Sequence, residues 1–170
     1  NKIPQAINIV KNNQNKIIAF SATLICMILI LIPTPDLLKI YKPDWSLLLL
    51  IFLTIYIPKE FNLGMAFFVG LLVDVSKGSL LGQHALASLL IIFLVTKFHL
   101  QLRIFPLLQL TATVFFLIII YQFILFWING VSGISSSFSS YLGPIISGTI
   151  LWPIIAKLFG RLFIFTTTKK

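Results

Sequence analysis

The longest stretch of this sequence without a charged side chain runs for 53 residues, over 104–156. A membrane-spanning helix needs about 20 consecutive apolar residues, so this stretch is too long for one crossing and long enough for two. A Ser-, Gly- and Asn-rich segment at 129–140 divides it and predicts a turn. We therefore expect helices at 105–128 and 141–163, and Pro153 is expected to kink the second of them.

Four shorter uncharged runs precede this stretch. The runs at 17–35 and 78–96 each have 19 residues, enough for a crossing. The runs between them have 14 and 13 residues, so each needs flanking polar residues to complete a crossing. Two full crossings are the favoured interpretation, and a re-entrant hairpin covered by protein is the alternative. The predicted helices are 17–35, 43–58, 61–77, 79–97, 105–128 and 141–163.

Composition supports a membrane protein. The chain is 58% hydrophobic and only 10% charged, whereas soluble domains have about 25% charged residues. We expect an all-α integral membrane protein with a single bundle at 17–163, an N-terminal segment at 1–16 and a basic tail at 164–170. The net charge is +9. The basic residues lie between apolar runs and at the ends of the chain and form no continuous stripe, which argues against nucleic-acid binding.

The distribution of basic residues predicts the orientation. Six crossings, or four with a re-entrant hairpin, place both termini on one side. Loops on the cytoplasmic side of a membrane protein carry the excess of Lys and Arg. The side of the termini has ten such residues and the other side three, which predicts cytoplasmic termini. The ten are Lys2, Lys11, Lys16, Lys59, Lys97, Arg103, Lys157, Arg161, Lys169 and Lys170, and the three are Lys39, Lys42 and Lys77.

Asp74 is the most informative polar residue, because it follows a long apolar run and a charge in lipid is costly. Two interpretations are open: local pairing with Lys77 at i+3, or a contact to a partner helix or ligand. Neighbouring glycines predict a tight turn and close helix packing, and His84 is expected to be a hydrogen-bonded interface residue. The candidate partner-interface or structural residues are Gly70, Asp74, Lys77, Gly78, Gly82, Gln83 and His84.

Catalytic and metal-binding patterns are missing from the sequence. The other carboxylates, Asp36, Asp44 and Glu60, fall in predicted loops, and no nucleophile elbow or phosphate-binding loop is present. The single cysteine, Cys26, has no spacing typical of a metal site. The sequence therefore predicts no enzyme, no cofactor and no metal.

Four short segments together carry a resemblance to a known family. They are Pro33–Asp36, Pro43–Trp45, Gly70–Leu86 and Leu151–Pro153, with Pro58 between the second and the third. Their order and spacing resemble the rod shape-determining MreD family, over about 17–163. The resemblance implies a protein of the bacterial cytoplasmic membrane, with six helices similar in fold to the S components of vitamin uptake transporters.

The resemblance also implies a function. The family belongs to the elongasome, which builds lateral cell-wall peptidoglycan, and it is not known as an enzyme. The expected partner is MreC, and through it MreB, RodA and the paired penicillin-binding transpeptidase, together with membrane lipids. The hypothesis is a non-enzymatic scaffold for cell-shape control. The alternative is a small-molecule-binding subunit of an S-component-like uptake transporter.

Overall fold

The computed structural model describes residues 21, 24, 25, 28, 41–58, 61–134 and 137–168, with side chains through Leu158. Within these residues all regular secondary structure is helical. The five bounded helices are α1 (Trp45–Tyr56), α2 (Leu63–Lys77), α3 (Gln83–Ile104), α4 (Leu107–Val131) and α5 (Ser139–Thr168).

Three of these helices are long and apolar enough to cross a membrane, by length and composition. They are α3, α4 and the first 20 residues of α5. Helices α1 and α2 have 12 and 15 residues, which corresponds to lengths of about 18 and 22 Å. The sequence predicts six crossings, and the described residues contain three helices that are long enough to cross. The first predicted helix, 17–35, and Cys26 fall outside them, apart from four helical positions.

Helix α3 differs from the predicted 79–97 at both ends. It begins at Gln83 because Gly82 has a φ of 96°, outside the helical region. It continues past Lys97 to Ile104, since long basic side chains can remain in a helix while their charged ends reach polar surroundings. Pro106 then separates α3 from α4, because proline disfavours helical backbone in the residue before it.

The chain divides into two compact units: α1, α2 and α3 as far as Arg103 belong to one, and residues 41–44 and Ile104 with α4 and α5 belong to the other. In the second unit, α4 and α5 form an antiparallel hairpin. Its turn uses Gly133 at φ 73°. Beside the turn, Asn129 Nδ2 donates to the Tyr141 hydroxyl at 2.8 Å, and the Phe126 ring meets Tyr141 edge-on at 5.4 Å.

The exposed faces of the long helices are apolar. Stripes of this kind are not expected on a monomer surrounded by water. Seven serine and threonine hydroxyls donate to carbonyls four residues earlier, so their protons are bonded within their own helix and do not face lipid. The stripes are Phe116, Ile120, Phe123 and Trp127 on α4, and Leu142, Ile146, Ile150, Ile154 and Leu158 on α5. The hydroxyls are those of Thr54, Ser76, Thr111, Thr113, Ser132, Ser147 and Thr149.

Candidate functional site

The polar residues singled out in the sequence lie in the hairpin formed by α2 and α3. Helix α2 begins after Asn62, whose side chain accepts a hydrogen bond from the backbone N–H of Met65 at 3.2 Å. It ends at Gly78, which has a left-handed backbone with φ 61°. The next N–H, that of Ser79, donates to the carbonyl of Asp74 at 3.1 Å. This pattern, a Schellman motif, satisfies a carbonyl that the helix end would otherwise leave unpaired.

At the start of α3 the groups that need partners are backbone N–H donors, whereas at the end of α2 they are carbonyl acceptors. The first N–H groups of any helix lack carbonyl partners within that helix, and a serine, threonine, aspartate or asparagine just before the helix usually accepts from them. Here the preceding residue is Gly82, which has no side chain. The acceptor must therefore come from elsewhere in the chain.

The side chain of Asp74 supplies that acceptor. Its Oδ2 accepts from the backbone N–H of Gly82 at 2.8 Å and of Ala85 at 3.4 Å. Its Oδ1 accepts from the backbone N–H of His84 at 2.9 Å and from the Ser79 hydroxyl at 2.8 Å. Asp74 is fully buried, so a carboxylate at the end of one helix caps the beginning of the next.

Electrostatics favour this placement. A helix N-terminus carries roughly half a positive charge from its aligned peptide dipoles, and a nearby carboxylate is stabilised by it. Burying a charge is costly unless hydrogen bonds replace the lost solvation. The donors around Asp74 provide that replacement from backbone and side-chain groups of the same hairpin.

His84 connects the carboxylate to a basic residue. Its Nδ1 lies 2.8 Å from Asp74 Oδ1, and its Nε2 lies 3.2 Å from the Lys77 ammonium nitrogen. An ammonium group can only donate, so Nε2 accepts and the proton of a neutral imidazole is on Nδ1. The ring is then fixed from both sides, and Asp74, His84 and Lys77 form one hydrogen-bonded chain across the hairpin.

Gly70 lets the two helices come together. It lies one helical turn before Asp74 on the same face of α2. A Cβ added at Gly70 would be 2.3 Å from Ala85 Cα and 2.7 Å from the Ala85 nitrogen. Both are backbone atoms of α3, so no side-chain rotation relieves the contact. The glycine therefore sets the helix spacing that brings the Asp74 carboxylate within reach of the first turn of α3.

The structure brings most of the predicted candidates together, with some different contacts. Asp74 bonds to Ser79 and the start of α3, whereas Lys77, its expected i+3 partner, contacts His84. Gly82 was expected to provide close packing, but a Cβ there would meet nothing within 4 Å. Its positive φ is what favours glycine. Gln83 is buried, and its Oε1 has no hydrogen-bond partner among the described residues.

Two participants were missed from the sequence. Ser79 contributes its hydroxyl and Ala85 its backbone, and neither has a pattern that marks it. A further missed contact lies in the second unit, where Gln122 Nε2 donates to Asp44 Oδ2 at 2.5 Å. The sequence offered one indication of this contact, since Gln122 is a polar residue in the middle of the uncharged stretch 104–156 and needs a hydrogen-bond partner there. Within the described part of the chain, no group of three or more His, Cys, Asp or Glu residues could hold a metal ion.

Comparison with known proteins identifies the family. The model of the family described as rod shape-determining protein MreD matches residues 11–162. The rod shape-determining protein MreD of Haemophilus influenzae is 29% identical over 141 residues, covering 81% of this chain and 85% of that protein. No solved structure matches the chain, so the predicted similarity to S components stays a prediction. With the family model matching nearly the whole chain, this protein belongs to the MreD family of rod shape-determining membrane proteins.

Proposed function

We propose that this chain is a non-enzymatic membrane scaffold of the rod complex, and that it binds MreC and supports lateral peptidoglycan synthesis. Family membership over residues 11–162 is the observation that carries the proposal. Links to MreB, RodA and its penicillin-binding transpeptidase are proposed to run through MreC. A scaffold needs a persistent surface in lipid, and the long helices present apolar stripes of that kind.

The proposed mechanism is lateral packing of a partner's transmembrane helix against this chain. Association in lipid depends on close packing and on a few polar contacts. The α2–α3 hairpin contributes by holding α3 in place, because Asp74, Gly70 and His84 contact other residues of the hairpin and are not available to a partner. On this proposal Gly70, Asp74, Lys77, Gly78, Gly82, Gln83 and His84 determine the shape of the partner surface, and exposed residues such as Leu90 contact the partner.

Single-cysteine crosslinking in cells tests the proposed surface. In a Cys26→Ser background, cysteines at exposed positions of three helices, Leu90, Phe123 and Ile150, are expected to give a crosslink to MreC on at least one helix. Ile91 is adjacent to Leu90 and fully buried, so Ile91→Cys is the matched control and is expected to give none. Absence of MreC crosslinks from all three exposed faces would contradict lateral packing.

We further propose six crossings of the cytoplasmic (inner) membrane, with the bundle at 17–163 and both termini in the cytoplasm, an arrangement similar to S components. The count of ten basic residues against three supports it. A fluorescent reporter that matures only in the cytoplasm is expected to be active when fused after Lys170.

Residue 59 separates the two predicted paths for the second and third crossings. With six crossings it is cytoplasmic, and with a re-entrant hairpin it is on the outer side. In the Cys26→Ser background, a Lys59→Cys variant is expected to resist a membrane-impermeant thiol reagent in intact cells. Labelling of that cysteine would support the re-entrant hairpin instead.

A further inference from the structure

Arg103, in the last turn of α3, is held by an aromatic side chain. The guanidinium carbon lies 6.0 Å from the centroid of the Tyr56 ring, at the end of α1. The Tyr56 ring in turn packs against Phe52 in a tilted arrangement, with centroids 4.5 Å apart and an interplanar angle of 33°. Phe52 is buried, so this ring pair connects the cation to the core of the first unit. A cation over an aromatic face is attracted to the ring's electrons.

The surroundings of Arg103 place it at a boundary between apolar and polar media. Leu100, one turn earlier, is 66% exposed, and the adjacent Ile104 is 83% exposed. Arg103 itself is exposed. Aliphatic residues exposed to this extent suit acyl chains, whereas a guanidinium group requires polar partners. The end of α3 therefore combines exposed aliphatic side chains with a basic one, as expected for a helix that ends at the level of the lipid headgroups.

Arg103 lacks an acidic partner in the part of the chain that the structure describes. Of the carboxylates in that part, Asp74 is fully buried and bonds to the His84 ring, and Asp44 accepts from Gln122. A contact between a cation and a ring face uses none of the guanidinium's five N–H groups as conventional hydrogen-bond donors. Those N–H groups match the oxygens of a phosphate, which arginine binds with two parallel hydrogen bonds.

We propose that Arg103, positioned by Tyr56, binds the phosphate of an anionic phospholipid headgroup. The exposed Leu100 side chain would contact the acyl chains of the same lipid. The orientation proposed above decides only which leaflet supplies the lipid. The site uses none of the residues around Asp74, and the proposal does not rest on MreC binding.

Lipid titration of the purified protein tests this site. The protein in neutral detergent is titrated with phosphatidylglycerol or phosphatidylcholine, and bound lipid is counted by native mass spectrometry. Wild type is expected to prefer phosphatidylglycerol. Arg103→Gln is expected to weaken phosphatidylglycerol binding roughly fivefold, the effect of one basic residue near an anionic surface. Arg103→Lys and Tyr56→Leu are expected to give intermediate losses, because one loses the planar fork and the other the ring.

Lys97→Gln is the matched control, since Lys97 is an exposed basic residue on the same helix, and it is expected to retain wild-type lipid selectivity. Unchanged selectivity in Arg103→Gln would overturn the proposal, and so would an equal loss in Lys97→Gln. Full competition by inorganic phosphate would indicate a free-phosphate site and also overturn it. Glu60, outside the described residues, is tested as Glu60→Gln. If Glu60→Gln and Arg103→Gln lower the melting temperature equally and both keep wild-type lipid selectivity, Arg103 pairs with Glu60 and does not bind lipid.

Discussion

Asp74→Leu is expected to cause the largest loss of stability of any single substitution in the α2–α3 hairpin. The change removes the acceptor for three backbone N–H groups at the start of α3 and for the side chains of Ser79 and His84. Interhelical hydrogen bonds in membrane proteins average about 0.6 kcal/mol each, and an unsatisfied buried donor costs roughly 1–3 kcal/mol. The five bonds sum to about 3 kcal/mol on the first figure and to about 5 kcal/mol at the lower end of the second. A loss of this size is expected to appear as a melting temperature roughly 10 °C lower in detergent.

Asp74→Asn and Ser76→Ala are the comparison variants. Asparagine keeps the shape and one acceptor oxygen but turns an N–H toward the donors, so an intermediate loss is expected. Ser76 is nearby on α2, and its hydroxyl bonds only to the carbonyl of Leu72 in its own helix, so Ser76→Ala is expected to be nearly neutral. MreC capture by Asp74→Leu is expected to fall with the folded fraction. A Leu variant as stable as wild type would contradict the capping role of Asp74.

Gly70→Ala is expected to have the second largest effect. The added methyl group would lie 2.3 Å from Ala85 Cα, well inside van der Waals contact, so α2 and α3 must separate. Overpacking of this kind costs about 1–3 kcal/mol, occasionally more. Separation of the helices also lengthens the hydrogen bonds from Asp74 to the first turn of α3. We expect a destabilisation of about 3 kcal/mol, measured as the melting temperature of the purified protein.

Gly64→Ala on the same helix is the matched control. A Cβ at Gly64 would meet only Asn62 Oδ1, at 3.4 Å, which is an ordinary contact. Because alanine is a better helix former than glycine, this change is expected to be neutral or slightly stabilising. Equal melting temperatures for Gly70→Ala and Gly64→Ala would show that α2 and α3 are not in close contact at Gly70.

Much of the helical pattern could be predicted from the sequence. Uncharged runs predicted helices at 105–128 and 141–163, and the structure has α4 at Leu107–Val131 and α5 at Ser139–Thr168. The pattern was strong there because a run of this length has few alternative structures. The end of α3 was harder to predict, since Lys97 and Arg103 resemble loop residues in sequence and yet remain helical.

Only part of the candidate site could be predicted. An acidic residue after an apolar run indicates a costly group that requires partners, and this pattern drew attention to Asp74. The partners could not be identified, because three of them are backbone N–H groups and carry no residue-specific signal. The role of Gly70 depends on how closely its backbone approaches α3, where an added Cβ would lie 2.3 Å from Ala85 Cα, and the sequence contains no distances.

The contacts of Asp74 also bear on how the chain enters the bilayer during synthesis. A lone helix with an ionised aspartate is costly to partition from the translocon, by about 2.5–3.5 kcal/mol at mid-membrane. The groups that neutralise this cost emerge from the ribosome only 5 to 11 residues later, in the segment from Ser79 to Ala85. On the six crossings proposed above, α2 and α3 are therefore expected to enter the bilayer together, with the hydrogen bonds of Asp74 already formed.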